Sequence, residues 1–320
     1  MADIISLDSR YSTTQFLTKQ LPNFGKENIL KSILFYPNNK NRKGEGGLRT
    51  KGYYKVHNKS PGNEQSQNYM PTVTIITVVF NGDKNLEKTI ESIIKQTYKN
   101  IEYIIIDGGS TDRTLDILKK YEHAIDYWVS EPDAGIYDAW NKGLKLATGE
   151  WISFIGADDT YEINAIENYV NYINEIHHTQ PEYVSSKVNL ISNGKILRVI
   201  GEKWKWRKFK KYMNTAHVGS LHKRTIYEKY GTYNINYKIC GDYELLLRPK
   251  NELRTSFINS VTANMYLGGI SNQDLRTFEE AFTAKIQTAG RNRLLCKIEK
   301  YNAIIIWKIR SKMYDYFSNN

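Results

Sequence analysis

From Val73 onward, short apolar runs alternate with amphipathic stretches. Val73–Phe80 is apolar or β-branched throughout and is closed by Asn81-Gly82, which reads as a buried strand and a turn. Lys84–Gln96 then sets Leu86, Ile90, Ile93 and Ile94 at helical spacing. The alternation continues with strands over Ile101–Asp107, Ile125–Ser130, Glu150–Ile155 and Glu182–Val188. Helices are predicted over Thr111–Tyr121, Ile136–Ala147 and Glu162–Ile176. Strands alternating with helices of this length predict βαβ units, a parallel sheet and the α/β class.

On either side of this block the pattern changes. Residues 1–70 read as an irregular N-terminal arm with a disordered start and one short helix near Glu27–Phe35. Its Pro37–Gly47 and Asn58–Asn68 stretches are polar and rich in turn residues. Beyond about residue 190, Asn193-Gly194 predicts a hairpin turn between Lys187–Ile191 and Lys195–Ile200. Lys203–Lys211 interleaves Trp204, Trp206 and Phe209 with basic residues. Tyr243–Leu247 begins a helix that Pro249 ends, and Glu279–Phe317 is largely helical with a basic end. The expected organisation is an arm (1–70), a catalytic domain (71–275, halves 71–160 and 161–275) and a basic helical extension (276–320).

Composition narrows the classes. Lys and Arg number 45 against 34 acids, a formal net charge of +11. That favours an anionic partner (nucleic acid, membrane surface or phosphate-bearing substrate) or serves solubility alone. Two distant cysteines, Cys240 and Cys296, exclude a disulfide framework and a cysteine-built zinc site, and fit a reducing cytosol. The N-terminus lacks the basic start and apolar core of a signal peptide. No apolar run reaches the roughly 18 residues of a spanning helix.

Four segments carry candidate chemistry. Ile152–Ile155 leads into Gly156-Ala-Asp-Asp159, so two carboxylates follow a buried strand. Open α/β sheets bind ligands beyond the carboxyl ends of their strands. Paired acids there suit a hard divalent cation, which takes oxygen ligands; capping of the next helix is the plainer role. Ile104–Asp107 ends in Asp107-Gly-Gly-Ser110, where glycines permit close approach and the acid can accept from a ribose or base. Asp112 reads as a helix-start acid. Ser130–Gly143 groups Asp133, Asp138, Asn141 and Lys142 about one helix entry. Cys240-Gly-Asp-Tyr-Glu244 opens a helix with Asp242 and Glu244, as caps or as a general base.

In this order and spacing the segments resemble family 2 glycosyltransferases of the GT-A fold, over about Pro71–Ser271. Val73–Asn81, Ser92–Tyr98 and Asp107–Asp112 belong to the same likeness, and Ser130–Gly143 resembles the bacterial subgroup that builds O-antigen and capsule repeat units. The resemblance implies a Rossmann-like, mostly parallel sheet flanked by helices. It assigns Asp107 to the donor nucleoside, Asp158 to the ribose, Asp159 to Mn²⁺ or Mg²⁺, and Asp242 to the catalytic base. Thr77, Phe80, Asn81, Gly108, Asp133, Asp138, Asn141 and Lys142 complete the implied nucleotide-sugar site. His217 matches a family histidine usually followed by Gln, where this chain has Val218. Gly268-Gly-Ile-Ser271 matches a Gly-Gly-x-Ser segment. The family often carries an acid where this chain has Gly156, beginning Asp-x-Asp.

The implied reaction is a single inverting displacement on a nucleotide-diphosphate sugar, with UDP the family's habitual nucleotide. The implied acceptor is a sugar on a polyprenyl diphosphate at the inner face of the cytoplasmic membrane. Trp204 and its neighbours fit acceptor contact or core packing, and Glu244 joins His217 on the acceptor side. Arg291–Phe317, with Ile304, Ile305, Ile306 and Trp307 among Lys and Arg, reads either as an interfacial amphipathic helix or as a helix packed on the core. For the arm, covering the acceptor groove and self-association are both open. The rival classes are a basic nucleic-acid-binding protein, whose phosphates the strand-end acids would repel, and an inactive nucleotide-binding scaffold.

Overall fold

The computed structural model describes residues 3–23, 29–56, 69–267 and 274–318, with side chains described as far as Ile309. Three short strands lie in the arm: β1 (Leu17–Thr18), β2 (Gly44–Gly46) and β3 (Tyr54–Lys55). Then follow β4 (Val73–Val79), α1 (Leu86–Ile94), β5 (Ile101–Asp107), α2 (Thr114–Tyr121), β6 (Tyr127–Ser130), α3 (Ile136–Leu146) and β7 (Trp151–Gly156). The second half holds β8 (Thr160–Tyr161), α4 (Ala165–Glu175), β9 (Tyr183–Ser192), β10 (Lys195–Ile200), α5 (Trp206–Phe209), β11 (Ser220–Lys223), α6 (Thr225–Tyr230), α7 (Gly241–Leu247) and β12 (Thr255–Tyr266). Two helices close the chain, α8 (Arg276–Gln287) and α9 (Arg293–Ser318).

One ten-stranded sheet runs β2-β6-β5-β4-β7-β11-β9-β12-β8, with β10 paired to β9. The β6-β5-β4-β7 block is parallel, as the alternation predicts. Its register aligns Val79 with Asp107, Asp107 with Ser130, and Val78 with Gly156. Those pairs bring the carboxyl ends of four strands to one edge, where a ligand site forms. β11 then runs antiparallel to both β7 and β9, so the whole sheet is mixed.

Successive strand residues face opposite layers. Val73, Ile75, Ile101, Tyr103 and Ile105 pack with α1, α2 and α4, whereas Ile76, Ile104, Ile106 and Phe154 pack with α3 and α7. Leu86, Ile90, Ile93 and Ile94 on α1 are all buried, and each such side chain contributes about 1.5–3 kcal/mol. The hairpin turn is where the sequence puts it: Asn193 and Gly194 have φ of 49° and 73°, the primed-turn conformation.

The arm corrects the sequence reading. Gly44–Gly46, inside the stretch read as irregular, is an edge strand on β6. It crosses the face of Trp128, and a Cβ on Gly46 would lie 2.7 Å from the indole Nε1. Glycine is therefore what lets this strand form, although glycine is what marks the stretch as a loop. Arg49 forms a buried pair with Glu102 at 2.6 Å, and Lys55 is buried beside Asp126 at 3.7 Å. Residues 29–35 make turns and bends with no helix, against the helix expected near Glu27–Phe35; residues 24–28 lie outside the described residues. Asn58–Asn68 also lies outside them.

Among the longer elements, one strand went unread. The twelve-residue β12 is half polar, and β9 supplies its partner. In α9, Cys296 and Trp307 turn inward, with Trp307 against Phe278 of α8. The outward face carries exposed Leu294, Leu295, Ile298, Tyr301, Ile305, Ile306 and Ile309. These side chains form an apolar stripe. Among the described residues no helix is long and apolar enough to cross a membrane.

Candidate active site

Asp107 ends β5 fully buried. Its Oδ1 accepts from the Ser110 hydroxyl, and its Oδ2 accepts from Ser110 N at 3.0 Å and Ser130 Oγ at 2.5 Å. Both oxygens are thus engaged, and the Ser130 bond joins the ends of β5 and β6. Asn81, at a left-handed φ of 53°, accepts from Thr111 N at 2.8 Å, and its own N–H donates to Ser110 Oγ at 2.7 Å. Asp112 is structural, accepting from Asp83 N and Thr114 N at 3.0 Å each.

The exposed surface above these clamps belongs to other residues. Phe80 follows β4 with 65% of its area exposed. Beside it a Cβ on Gly108 would lie 3.4 Å from the Phe80 ring and 2.6 Å from Asp133 Oδ2. Gly108 therefore leaves the space that the Asp133 carboxylate fills. Asp133 Oδ1 accepts from Gly135 N at 2.8 Å, and partial burial raises its pKa. Asp138 Oδ2 accepts from Ala134 N at 3.0 Å at the start of α3.

The paired acids converge. A Cβ on Gly156 would sit 2.9 Å from Asp158 Oδ1 and 3.2 Å from Asp159 Oδ2, so both carboxylates lean over that glycine. Asp159 Oδ1 also accepts from Tyr266 N at 3.0 Å. Burial first, and the neighbouring Asp158 charge second, push the Asp159 pKa up to about 8; burial also raises Asp158. Two crowded carboxylates with little compensating charge fit a divalent cation, which would restore both to the ionised form. Among the described residues no third acid, histidine or cysteine joins them.

Asp242 opens α7. Its Oδ1 accepts from Tyr243 N at 2.8 Å and from the Tyr137 hydroxyl at 3.3 Å. Burial raises its pKa to about 6, partly offset by those two donors. His217 stacks on Trp140 at 4.7 Å and meets Tyr233 OH through Nε2 at 3.1 Å. Burial lowers its pKa to about 3, so it is neutral at ordinary pH. Behind it runs a buried chain: Tyr233 OH to Tyr227 OH (3.2 Å), to His222 Nδ1 (2.7 Å), and from His222 Nε2 to Ser220 Oγ (3.0 Å).

Several expected contacts lie elsewhere. Thr77 is buried in the sheet against Tyr103 OH at 3.1 Å, and Trp204 stacks on Phe209 at 3.8 Å within the core. Glu244 is buried, held by Arg248 at 2.5 Å and by Thr288 Oγ1 at 2.9 Å. Asn141 clamps the backbone of Tyr233 with both side-chain atoms, at 2.8 and 2.9 Å. Lys142 is buried against Glu131 at 3.1 Å and the Pro132 carbonyl at 2.9 Å. Four of these side chains are buried, and Asn141 is half-buried. Gly268–Ser271 lies outside the described residues. Sequence reasoning missed Tyr137, Tyr233, Arg42 and Lys43; for Tyr137 the cue was its place beside Asp138 at the helix entry.

The model of the Glycosyl transferase family 2 matches residues 74–231. A PGL/p-HBAD biosynthesis glycosyltransferase of Mycobacterium bovis is 31% identical over 217 residues, covering 63% of this chain and 80% of the relative. An uncharacterized glycosyltransferase of Rickettsia typhi is 40% identical over 108 residues, 34% of each chain. In fold the chain is similar to S. aureus TarS 1–349 in complex with UDP-GlcNAc (TM-score 0.55, 14% identity, 72% of this chain and 70% of that one). It is also similar to the Pyrobaculum calidifontis mannosyltransferase PcManGT in complex with GDP-Man and Mn²⁺ (TM-score 0.50, 16% identity, 76% of each). With a GT-A-like sheet and a relative matched over most of its length, this chain belongs to glycosyltransferase family 2.

Proposed function

We propose that the protein transfers a hexose or N-acetylhexosamine from a UDP-sugar to a hydroxyl of a lipid-diphosphate-linked sugar, with inversion, in surface glycan assembly. The observation that carries this reading is the pairing of Asp158 and Asp159 over Gly156, with one carboxyl near pKa 8. Such a pair holds Mn²⁺ or Mg²⁺ through Asp159, with Asp158 beside the ribose. The cation, when bound, stabilises charge developing on the departing diphosphate. Phe80 presents a face for the nucleobase, while the buried Asp107 holds the loop beneath it.

Asp242 takes the proton of the acceptor hydroxyl as that oxygen bonds to the anomeric carbon. The bond to the phosphate oxygen breaks, UDP leaves, and an α-linked donor gives a β-linked product. At pKa about 6, Asp242 is ionised at neutral pH and still basic enough to accept a proton. His217, neutral and stacked on Trp140, lies on the acceptor side. The complexes of TarS with UDP-GlcNAc and of PcManGT with GDP-Man support a nucleotide-sugar donor.

The apolar stripe of α9, flanked by exposed Arg293, Lys297 and Lys308, fits an anionic membrane surface. There the enzyme would meet its acceptor on the inner face of the cytoplasmic membrane. Two copies of so basic a helix would repel one another, which favours lipid over a second protomer. The test of the reaction is nucleotide release across a panel of nucleotide sugars, with Mn²⁺ or chelator and a lipid-diphosphate sugar acceptor. Metal-dependent release with one donor and a β-linked product is the expected result. Absence of nucleotide binding overturns the assignment.

A further inference from the structure

The loop after β5 and the loop after β6 touch twice. Asp133 fills the space beside Gly108, and a Cβ on Gly109 would lie 3.3 Å from Pro132 N. Neither loop is held by the catalytic core alone. Lys43, in the arm, donates its backbone N–H to Ser130 O at 2.8 Å, which fixes it at the end of β6. Its Nζ reaches across to the other loop and donates to Gly109 O at 2.7 Å and Ser110 O at 3.0 Å. One residue of the arm therefore ties both loops together.

Arg42 grips the same place from the adjacent position. Its Nη2 lies 3.1 Å from Glu131 Oε2, and it also donates to the carbonyls of Tyr36 and Pro37. The other Glu131 oxygen faces Lys142 at 3.1 Å. Glu131 is almost wholly buried, so its charge depends on both cations. It is also two residues from Asp133. Removing the Arg42 guanidinium leaves a half-compensated buried anion at the root of the loop that carries Asp133.

We propose that Arg42 and Lys43 are positioning residues of the donor site, and that the arm is part of nucleotide binding through the Arg42–Glu131–Lys142 relay and the Lys43 bridge. This rests on the donor reading above. They touch no ligand themselves: they set the distance between Phe80 and Gly108 on one side and Asp133 on the other. A displacement of about 1 Å in such a frame is worth up to two orders of magnitude in rate or affinity. Acceptor binding, built from α7 and the His217 region, stands apart from this relay.

The test uses the full-length chain and UDP as the calorimetric probe. Arg42→Ala removes the guanidinium; Lys43→Met removes the ammonium while keeping the stem and the backbone pairing of β2. The expected result is about tenfold weaker UDP binding and a raised donor KM in both, with acceptor KM unchanged; the melting midpoint stays near that of wild type in Lys43→Met and falls in Arg42→Ala, where the buried Glu131 loses a partner. Arg42→Lys, which keeps charge without the fork, restores part of the affinity. Arg10→Ala, in an exposed pair with Asp8, changes nothing. Wild-type UDP affinity in a folded Lys43→Met protein overturns the proposal, as does loss of fold in both variants, which would make the role purely structural. Wild-type protein that binds no nucleoside diphosphate overturns the donor reading and this inference with it.

Discussion

Gly108 and Asp133 share one space: the Asp133 carboxylate lies 2.6 Å from where a side chain on Gly108 would begin. They sit on loops after neighbouring parallel strands, next to the exposed Phe80 ring. The Asp133 side chain is short and already bonded to Gly135 N, so it has little room to yield. Gly108→Ala is therefore expected to displace it and weaken UDP binding about tenfold or more, with fold retained. Calorimetric titration checks this, and unchanged affinity would remove Asp133 from the donor site.

Asp242 must be ionised to accept a proton. Burial disfavours its charge and raises its pKa to about 6, so activity is expected to fall as pH drops through 6 and to level off above it. Asp242→Asn is expected to lower kcat by roughly 10²–10⁴-fold and leave UDP affinity in place. A pH–rate profile with no limb near 6 would point to another base. His217, at about 3, contributes no limb in that range.

Cation binding should release protons. Asp159 sits near pKa 8, so at pH 7 it is largely protonated until a cation displaces the proton. Mn²⁺ affinity is expected to rise with pH until about 8 and then flatten. Titrations in buffers of different ionisation enthalpy count the protons released. Asp159→Asn should abolish both the release and the binding.

Glu244 is buried and bonded to Arg248 and Thr288. Glu244→Ala leaves the guanidinium uncompensated and is expected to cost roughly 3 kcal/mol in denaturant unfolding. The KM for acceptor should hardly move. The opposite pattern, intact stability with a raised acceptor KM, would return Glu244 to the acceptor site.

The apolar stripe of α9 gives a direct membrane test. Wild-type protein should sediment with vesicles rich in anionic lipid and be released by salt, since the attraction is partly electrostatic. Ile298→Glu with Ile305→Glu should abolish sedimentation without reducing UDP affinity. Equal sedimentation of wild type and variant would place the stripe against another partner.

The sequence by itself determined the alternating core and the places where its strands end in acids. Those depend on local periodicity and on residue type at a turn, which a linear pattern carries. It also determined the Asn193-Gly194 turn, because a left-handed pair is a property of two residues. The tertiary structure decided what the pattern does not encode. Thr77 and Trp204 look like ligand-facing residues, but the packing of strand faces and of Phe209 buries them. Glycines at 44 and 46 look like a loop, but Trp128 needs their bareness and an edge strand is made of them. Lys142 looks like a free charge until Glu131 reaches it from the loop after β6, and Glu244 is further tied down by Thr288 from the C-terminal segment. Whether a charge is spent inside the fold or offered to a ligand depends on which partner reaches it, and that is decided only when distant segments meet.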